Sequence, residues 1–260
     1  MKKVIFIILI LLTSSGVRAE NYELFRKKFS TGLMLTRENS YIGAKDLYPF
    51  ILPLPYIDLE NQNWLIRGDK GVLRKIYENN RFSSSMGLYY YVPRTPSMAA
   101  DGKLDGIHEV KLDFPVVWHN RLYIAKLTEL TLRLEQGVVE PSSQKYILAI
   151  TRYFRLKQWF LEGSIGSTWG SAGYVNNWFG ISQNELGNNG YFLKGYEAKN
   201  KVINPVSLFV ESYIHYDFSY NYSTLVGARY GRLWGDVVNS PIVEDKNQMF
   251  FMVAFLYKFY

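Results

Sequence analysis

Three histidines, His108, His119 and His215, are the side chains of this 260-residue chain suited to acid–base work near neutral pH. A hydrolase built on one of them would need a serine nucleophile within hydrogen-bond reach and a carboxylate to orient the imidazole. Ser212 is three residues from His215. In an extended chain, side chains an odd number of positions apart point to opposite faces, so those two cannot meet. Ser207 and Ser223 remain possible partners, but composition alone cannot place them, and no catalytic residue is assigned. The chain has no cysteine, no HExxH and no EF-hand spacing, so neither a metal site nor a cofactor is expected. The glycines from Gly166 to Gly173 lack the lysine of a phosphate loop and read instead as a strand bend. The expected protein is not an enzyme.

Charged residues with a regular spacing are more informative. Lys111 and Asp113 alternate with apolar residues, as do Glu211, His215, Asp217 and Arg229. If those stretches are strands closed into a tube, these six side chains line its lumen. Inward charges of both signs either pair and fill a narrow barrel or select solutes in a small pore. Mixed signs cancel, whereas a selectivity ring carries one sign, so packing is the stronger reading.

The elements that would hold such a lumen are legible as period-two patterns. Val110, Leu112, Phe114, Val116 and Trp118 share one face; so do Leu208, Val210, Ile214, Tyr216 and Phe218, and so do Phe251, Val253, Phe255, Tyr257 and Phe259. Segments of about ten residues match the length of a tilted strand crossing a bilayer. Trp118, Trp159, Trp234 and Tyr222 sit near segment ends, where an aromatic girdle lies. A spanning strand must pair every backbone N–H and C=O, and closure removes the edges that hydrocarbon would leave unsatisfied. The expected fold is an all-β, antiparallel, up-and-down transmembrane barrel of about twelve strands.

Strand starts are expected near Phe29, Tyr48, Asn63, Gly71, Arg81, Glu109, Leu122, Tyr146, Gln158, Val206, Asn221 and Gln248. The segments from Asn63 and Gly71 are short, and if they are one bent strand the count becomes ten. Tight turns fall at Asn79-Asn80, His119-Asn120-Arg121, Lys157 and Ser219-Tyr220, and long loops at 38–47, 93–108, 169–205 and 235–247. In bacterial barrels the long loops are extracellular.

Residues 1–19 stand apart. Lys2 and Lys3 precede the apolar run Val4–Leu12, and Val17-Arg18-Ala19 offers small residues for cleavage, the pattern of a secretory signal peptide. Residues 20–260 then form one barrel domain. Of the formal charge of +7, removing the leader leaves 27 basic and 23 acidic residues, or +4. An exported chain without a basic block is not expected to bind nucleic acid. Its expected partners are outer-membrane lipid and, during insertion, the barrel assembly machinery of a Gram-negative cell.

Three stretches resemble the MipA/OmpV family of outer-membrane proteins. Tyr41-Ile42-Gly43 followed by Leu52-Pro53-Leu54-Pro55-Tyr56-Ile57-Asp58 is similar to the family's early loop and strand. Gly166–Ser182 resembles its "SWTWADxxYxxxYFGVS" segment, and Gly235–Val243 its "GDAADSPIV" segment. The matching positions include Trp169, Tyr174, Phe179, Gly180, Asp236, Ser240 and Pro241. Gly170-Ser171 stands where the family has Ala-Asp, and Tyr260 extends past the usual final Phe. The resemblance implies a non-enzymatic scaffold joining a murein-cleaving transglycosylase to a murein polymerase. Murein lies in the periplasm, however, and two of these motifs fall in loops assigned to the outside. A narrow pore or receptor for small solutes and a loop-mediated adhesin are therefore kept as alternatives.

Overall fold

The computed structural model describes residues 29–48, 54–68, 70–99, 101–186, 194–198 and 203–259. The signal segment 1–19, the lead-in Glu20–Lys28, Leu52-Pro53 and Tyr260 lie outside them.

Thirteen strands form one antiparallel sheet: β1 (Phe29–Asn39), β2 (Leu47–Tyr48), β3 (Leu54–Glu60), β4 (Trp64–Arg67), β5 (Gly71–Glu78), β6 (Phe82–Leu88), β7 (Val116–Ala125), β8 (Thr128–Gln136), β9 (Gln144–Leu156), β10 (Trp159–Gly170), β11 (Asn204–Asp217), β12 (Tyr222–Leu233) and β13 (Asn247–Phe259). β1 pairs with β3, the later neighbours in sequence pair in turn, and β13 closes onto β1 from Phe29↔Phe259 to Glu38↔Phe250. The two-residue β2 only extends β1 at Glu38 and Asn39, so the wall is a closed barrel of twelve strands. The segments from Asn63 and Gly71 are two strands, β4 and β5, joined by a tight hairpin, which settles the count.

The alternation does what was expected of it along most of the wall. On β13, Phe251, Val253, Phe255, Tyr257 and Phe259 are exposed, while Met252, Ala254, Leu256 and Lys258 are buried inside. Aromatic residues gather at both rims: Trp169 lies edge-on to Trp234 at 5.6 Å, and at the opposite end Phe29 stacks on Phe259 at 4.8 Å and Phe218 on Tyr222 at 6.2 Å.

One stretch was misread by composition. The residues His119-Asn120-Arg121 are not a turn; they lie in the middle of β7, which starts at Val116 rather than Glu109 and reaches Ala125. The turn is Lys126-Leu127, with Leu127 in the left-handed region at φ 61°. Strand β8 accordingly begins at Thr128, not Leu122. Three adjacent polar residues imitate a turn, but His119 and Arg121 are simply the polar lumen row. Val116, Trp118, Leu122 and Ile124 keep the outer row running past them. Val110, expected on the outer face, is buried among loop residues instead.

Asn79-Asn80, Lys157 and Ser219-Tyr220 do form short turns, all at one end of the barrel. At the other end lie the described residues 40–46, 89–99, 101–115, 137–143, 171–186, 194–198 and 234–246. These two ends are termed the short-turn end and the long-loop end.

Candidate functional site: the lumen and its cap

At the long-loop end the loops fold into a cap. Its centre is α1, Ala172–Phe179. Ser171 caps the helix, its Oγ accepting from Tyr174 N at 3.1 Å, while the same hydroxyl donates to Ser142 O at 2.7 Å. Serine and aspartate are both strong N-caps, so Ser171 does here what the family's aspartate is suited to do. Tyr174, Val175, Trp178 and Phe179 share one helix face and pack with Val110, Val206, Leu233 and Val237. A second apolar group, Tyr41, Ala44, Leu104, Ile107, Ile181 and Ile242, continues the layer. The mouth is thus filled by side chains drawn from four loops and from the inner faces of β11 and β12.

This cap gathers most of the motif positions. Ser240 Oγ donates to Phe179 O at 2.6 Å, joining two motifs 61 residues apart. Tyr41 Oη donates to Glu244 Oε2 at 3.1 Å and contacts Ile242 O at 3.3 Å, which brings in the early Tyr-Ile-Gly. Gly43 has φ 101°, where only glycine rests without strain, and its carbonyl accepts from Glu244 N and Asp245 N at 2.8 and 3.0 Å. Gly180 ends α1, and a Cβ there would lie 2.3 Å from Asn176 O. Asp236 and Pro241 are half-buried in the same layer. Trp169 is different: it stands on the outer row of β10 in the girdle, donating to Ser167 Oγ at 2.9 Å.

Polar stitching holds the cap's two largest loops together. Arg94 is 2% exposed and donates to Trp178 O at 2.6 Å and His108 O at 3.0 Å. Burial pulls its guanidinium down to about 10, against the pull of Tyr41 and Glu185. His108 places Nδ1 2.8 Å from Glu185 Oε1 and Nε2 3.0 Å from Asn177 O. Burial alone would raise the Glu185 carboxyl, but hydrogen bonds from Ser182 and His108 outweigh it and hold it at about 2. A carboxyl depressed on folding stabilises fully above its unfolded value of about 4.5 and loses that contribution as pH falls toward about 2. Near-ultraviolet circular dichroism of the cap aromatics should therefore decline between those pH values, and Glu185→Gln should flatten the decline.

Below the cap the lumen has two halves. Tyr56, Tyr213, Leu225, Met252, Ala254 and Leu256 make one side apolar. The other side carries three carboxylates, each clamped by two cations. Glu60 pairs with Lys75 at 3.1 Å and Arg121 at 2.7 Å; Glu162 pairs with Arg67 at 3.1 Å and Lys70 at 4.0 Å. Glu135 pairs with Arg133 and, at 3.1 Å, with Lys145, and also accepts from Tyr91 Oη. Glu78 adds a second carboxylate on Lys75 at 3.1 Å. Arg67 lies 5.3 Å from the Tyr213 ring centroid, so the two halves touch.

Toward the short-turn end a cavity of about 110 Å³ remains, lined among others by Arg67, Lys70, Arg121, His215, Asp217 and Lys258. Asp217 binds Lys258 at 3.0 Å, and His215 meets Phe160 edge-on at 5.7 Å. Glu211 and Arg229 stand opposite each other in register on the inner faces of β11 and β12, with Arg229 4.1 Å from the Phe209 ring centroid. Asp113 is buried, but under the cap, where its carboxylate accepts from Val138 N and Val139 N at 3.1 and 3.0 Å. Lys111 precedes β7 and is exposed, so it does not join the lumen charges. Ser212 faces outward, away from His215.

The triads were missed although one of them is written plainly: in Thr128–Gln136, Glu129, Thr131, Arg133 and Glu135 alternate with Leu130, Leu132 and Leu134. Its polar inner row and the polar His119-Asn120-Arg121 before it mask the strand's start at Thr128. The partners on other strands have no signal in sequence, because register and closure bring them together.

Among solved structures the chain is similar to an outer-membrane channel from Pseudomonas putida F1, with 8% identity, a TM-score of 0.39, and 94% of this chain and 100% of that chain covered. It is also similar to a bacterial polysaccharide outer membrane secretin (6% identity, TM-score 0.41, 90% and 99% covered). A third likeness is to Ail, the attachment invasion locus protein of Yersinia pestis (10%, 0.24, 89% and 97%). No curated protein sequence matches it. The family model described as MltA-interacting protein MipA matches residues 31–259, nearly the whole barrel and all of its cap, and this outer-membrane β-barrel protein belongs to that family.

Proposed function

We propose that the protein is a non-enzymatic anchor in the outer membrane of a Gram-negative bacterium, exported by its N-terminal leader. Its short-turn end faces the periplasm and holds a murein-cleaving transglycosylase near a murein polymerase. The observation that carries this reading is the filled barrel: an apolar cap occupies one mouth and clamped charges occupy the lumen below it. Such a tube suits a fixed platform better than a conduit. The family's name supports a partner of the transglycosylase type.

The docking surface is then the short-turn rim. It presents the turns 61–63, 79–81, 126–127, 157–158 and 218–221, with Tyr220 68% exposed at its edge. Tyrosine is a residue type on which interfaces concentrate their energy. The rim alone is small against the ~800 Å² per partner of a standard interface, so a further segment, Glu20–Lys28, which precedes β1 in sequence, is proposed to contribute to capture.

The mature chain, folded in detergent and immobilised, should capture a purified murein transglycosylase. Tyr220→Ala should weaken capture about tenfold, the effect of losing an interface anchor worth ~1–2 kcal/mol. Deleting residues 183–202, between α1 and β11 in sequence, should leave capture unchanged. Failure of the wild-type barrel to bind, with its heat-modifiable gel mobility intact, would overturn the reading.

A further inference from the structure

The outward rows of the twelve wall strands carry few charges, and all of them have one sign. Among the described residues they are Arg37 on β1, Arg74 on β5, Arg152 on β9 and Arg232 on β12. Every carboxylate of these strands lies on an inward row, as does every lysine. On a lipid-facing row arginine and lysine cost more than aspartate and glutamate, and the cost of each is least near the interfaces. A wall that merely tolerated stray charge would therefore hold acids at least as readily. Exclusive use of the guanidinium, whose planar fork fits a phosphate, points to an anion on the lipid side.

Two of the four stand close together. Arg37 is two residues from the long-loop end of β1, and Arg232 is one residue from that of β12. Only β13 separates the two strands, with Phe251 opposite Arg37 and Asn247 opposite Arg232. Two steps between strands and an offset of four residues put the two Cα atoms about 16 Å apart. Both side chains are exposed, and neither forms an ion pair among the described residues. The loop charges beside them come as adjacent opposite signs, Lys45-Asp46 and Asp245-Lys246, so they do not neutralise the pair. Asp245 Oδ1 is moreover engaged by Asn247 N and Nδ2 at 2.8 and 2.9 Å. Tyr230 and Trp234 bracket Arg232, and Trp234 meets Trp169 in the girdle, which sets these guanidinium groups at headgroup level. Below them Leu35, Phe251 and Val253 continue as exposed apolar surface. Arg74 and Arg152, by contrast, stand singly on strands four steps apart, toward the short-turn ends.

We propose that Arg37 and Arg232 form a docking site on the outer wall for an acylated glycolipid of the outer leaflet that carries a phosphate at each end of its headgroup, one guanidinium to each phosphate. A phospholipid offers a single phosphate, meets one arginine and is held less well. The site takes from the proposed function only its orientation, long loops outward, and not the murein partner. Its test in detergent depends on neither, so capture of a transglycosylase can fail while the lipid site stands.

The probe is bisphosphorylated lipid A, added to the mature full-length barrel in a non-ionic detergent and counted by native mass spectrometry. One lipid per chain should stay bound at concentrations where monophosphorylated lipid A and phosphatidylglycerol do not. Arg37→Gln with Arg232→Gln should weaken retention at least about tenfold, equivalent to about 1.4 kcal/mol. Arg74→Gln with Arg152→Gln should leave it unchanged. All four positions face outward, so heat-modifiable gel mobility should stay native in both variants. Excess inorganic phosphate should not displace the lipid, which separates a headgroup site from one for free phosphate. The proposal fails if wild type retains lipid A no better than phosphatidylglycerol, if removing one phosphate from lipid A changes nothing, if inorganic phosphate displaces it, or if the two double variants lose it equally.

Discussion

Replacing Glu135 with alanine should cost the folded barrel about 3–5 kcal/mol, the loss expected when one partner of a buried ion pair is removed. Glu135 is 3% exposed and sits between Arg133, itself 5% exposed, and Lys145. It also accepts from Tyr91, which reaches down from the loop after β6. Removing the carboxylate therefore takes the shared counter-ion from two neighbouring cations and detaches a tie between cap and wall. The cost arises from the stranded charges more than from the lost contacts. Glu135→Gln should consequently be almost as damaging, although it keeps the volume. Arg133→Met and Lys145→Met combined with Glu135→Leu should recover much of the loss, because a matched apolar cluster needs no desolvation and strands no charge. Urea unfolding of the detergent-folded protein, followed by gel mobility, measures all three. If Glu135→Ala costs less than about 1 kcal/mol, the value typical of exposed pairs, the lumen is wet enough to screen the triads.

Phe179→Ala should have a comparable magnitude but a different reach. Phe179 is fully buried at the C-terminal end of α1, against the cluster that includes Val237, and its carbonyl receives the Ser240 hydroxyl at 2.6 Å. Truncating a buried Phe costs about 3–5 kcal/mol through lost transfer energy and the cavity left behind. The barrel is closed by β13 pairing with β1 independently of the cap, so the loss should fall on the cap alone. Limited proteolysis should cut within 101–115 and 171–186 rapidly in Phe179→Ala, while the strands stay protected and gel mobility stays native. Global unfolding together with the cap would show that the cap braces the cylinder and is not merely seated in it.

Both predictions draw on elements with very different visibility in the linear chain. The lipid-facing rows were legible because lipid imposes one demand on every second residue, and β13 or β11 can be read by that rule without reference to neighbours. The lumen row has no such rule. On β13 it is Met252, Ala254 and Leu256; on β8 it is Glu129, Thr131, Arg133 and Glu135. A polar inner row also explains the misplaced turn, since His119 and Arg121 satisfy composition rules for a loop while belonging to the middle of a strand.

The motifs were legible as motifs but not as a structure. Tyr41-Ile42-Gly43, Gly166–Ser182 and Gly235–Val243 are far apart in the chain, and two of them were read simply as long loops. They meet because the barrel returns each of these loops to the same rim, where Tyr41 contacts Glu244 and Ser240 contacts the Phe179 carbonyl. An eight-residue helix within one of them was not expected. Isolated helices that short are marginal in water, and this one persists by burying an apolar face against partners that sequence does not place.

What the chain determined by itself is the local alternation: strands of membrane-crossing length, aromatic residues at their ends, and outer rows greasy enough for lipid. Only the closed cylinder decided which charges meet and which loops share a cap. The physical reason is that lipid is the same solvent for every strand and can be read one residue at a time. The lumen is a solvent the strands make for one another, and its composition exists only once their register is set.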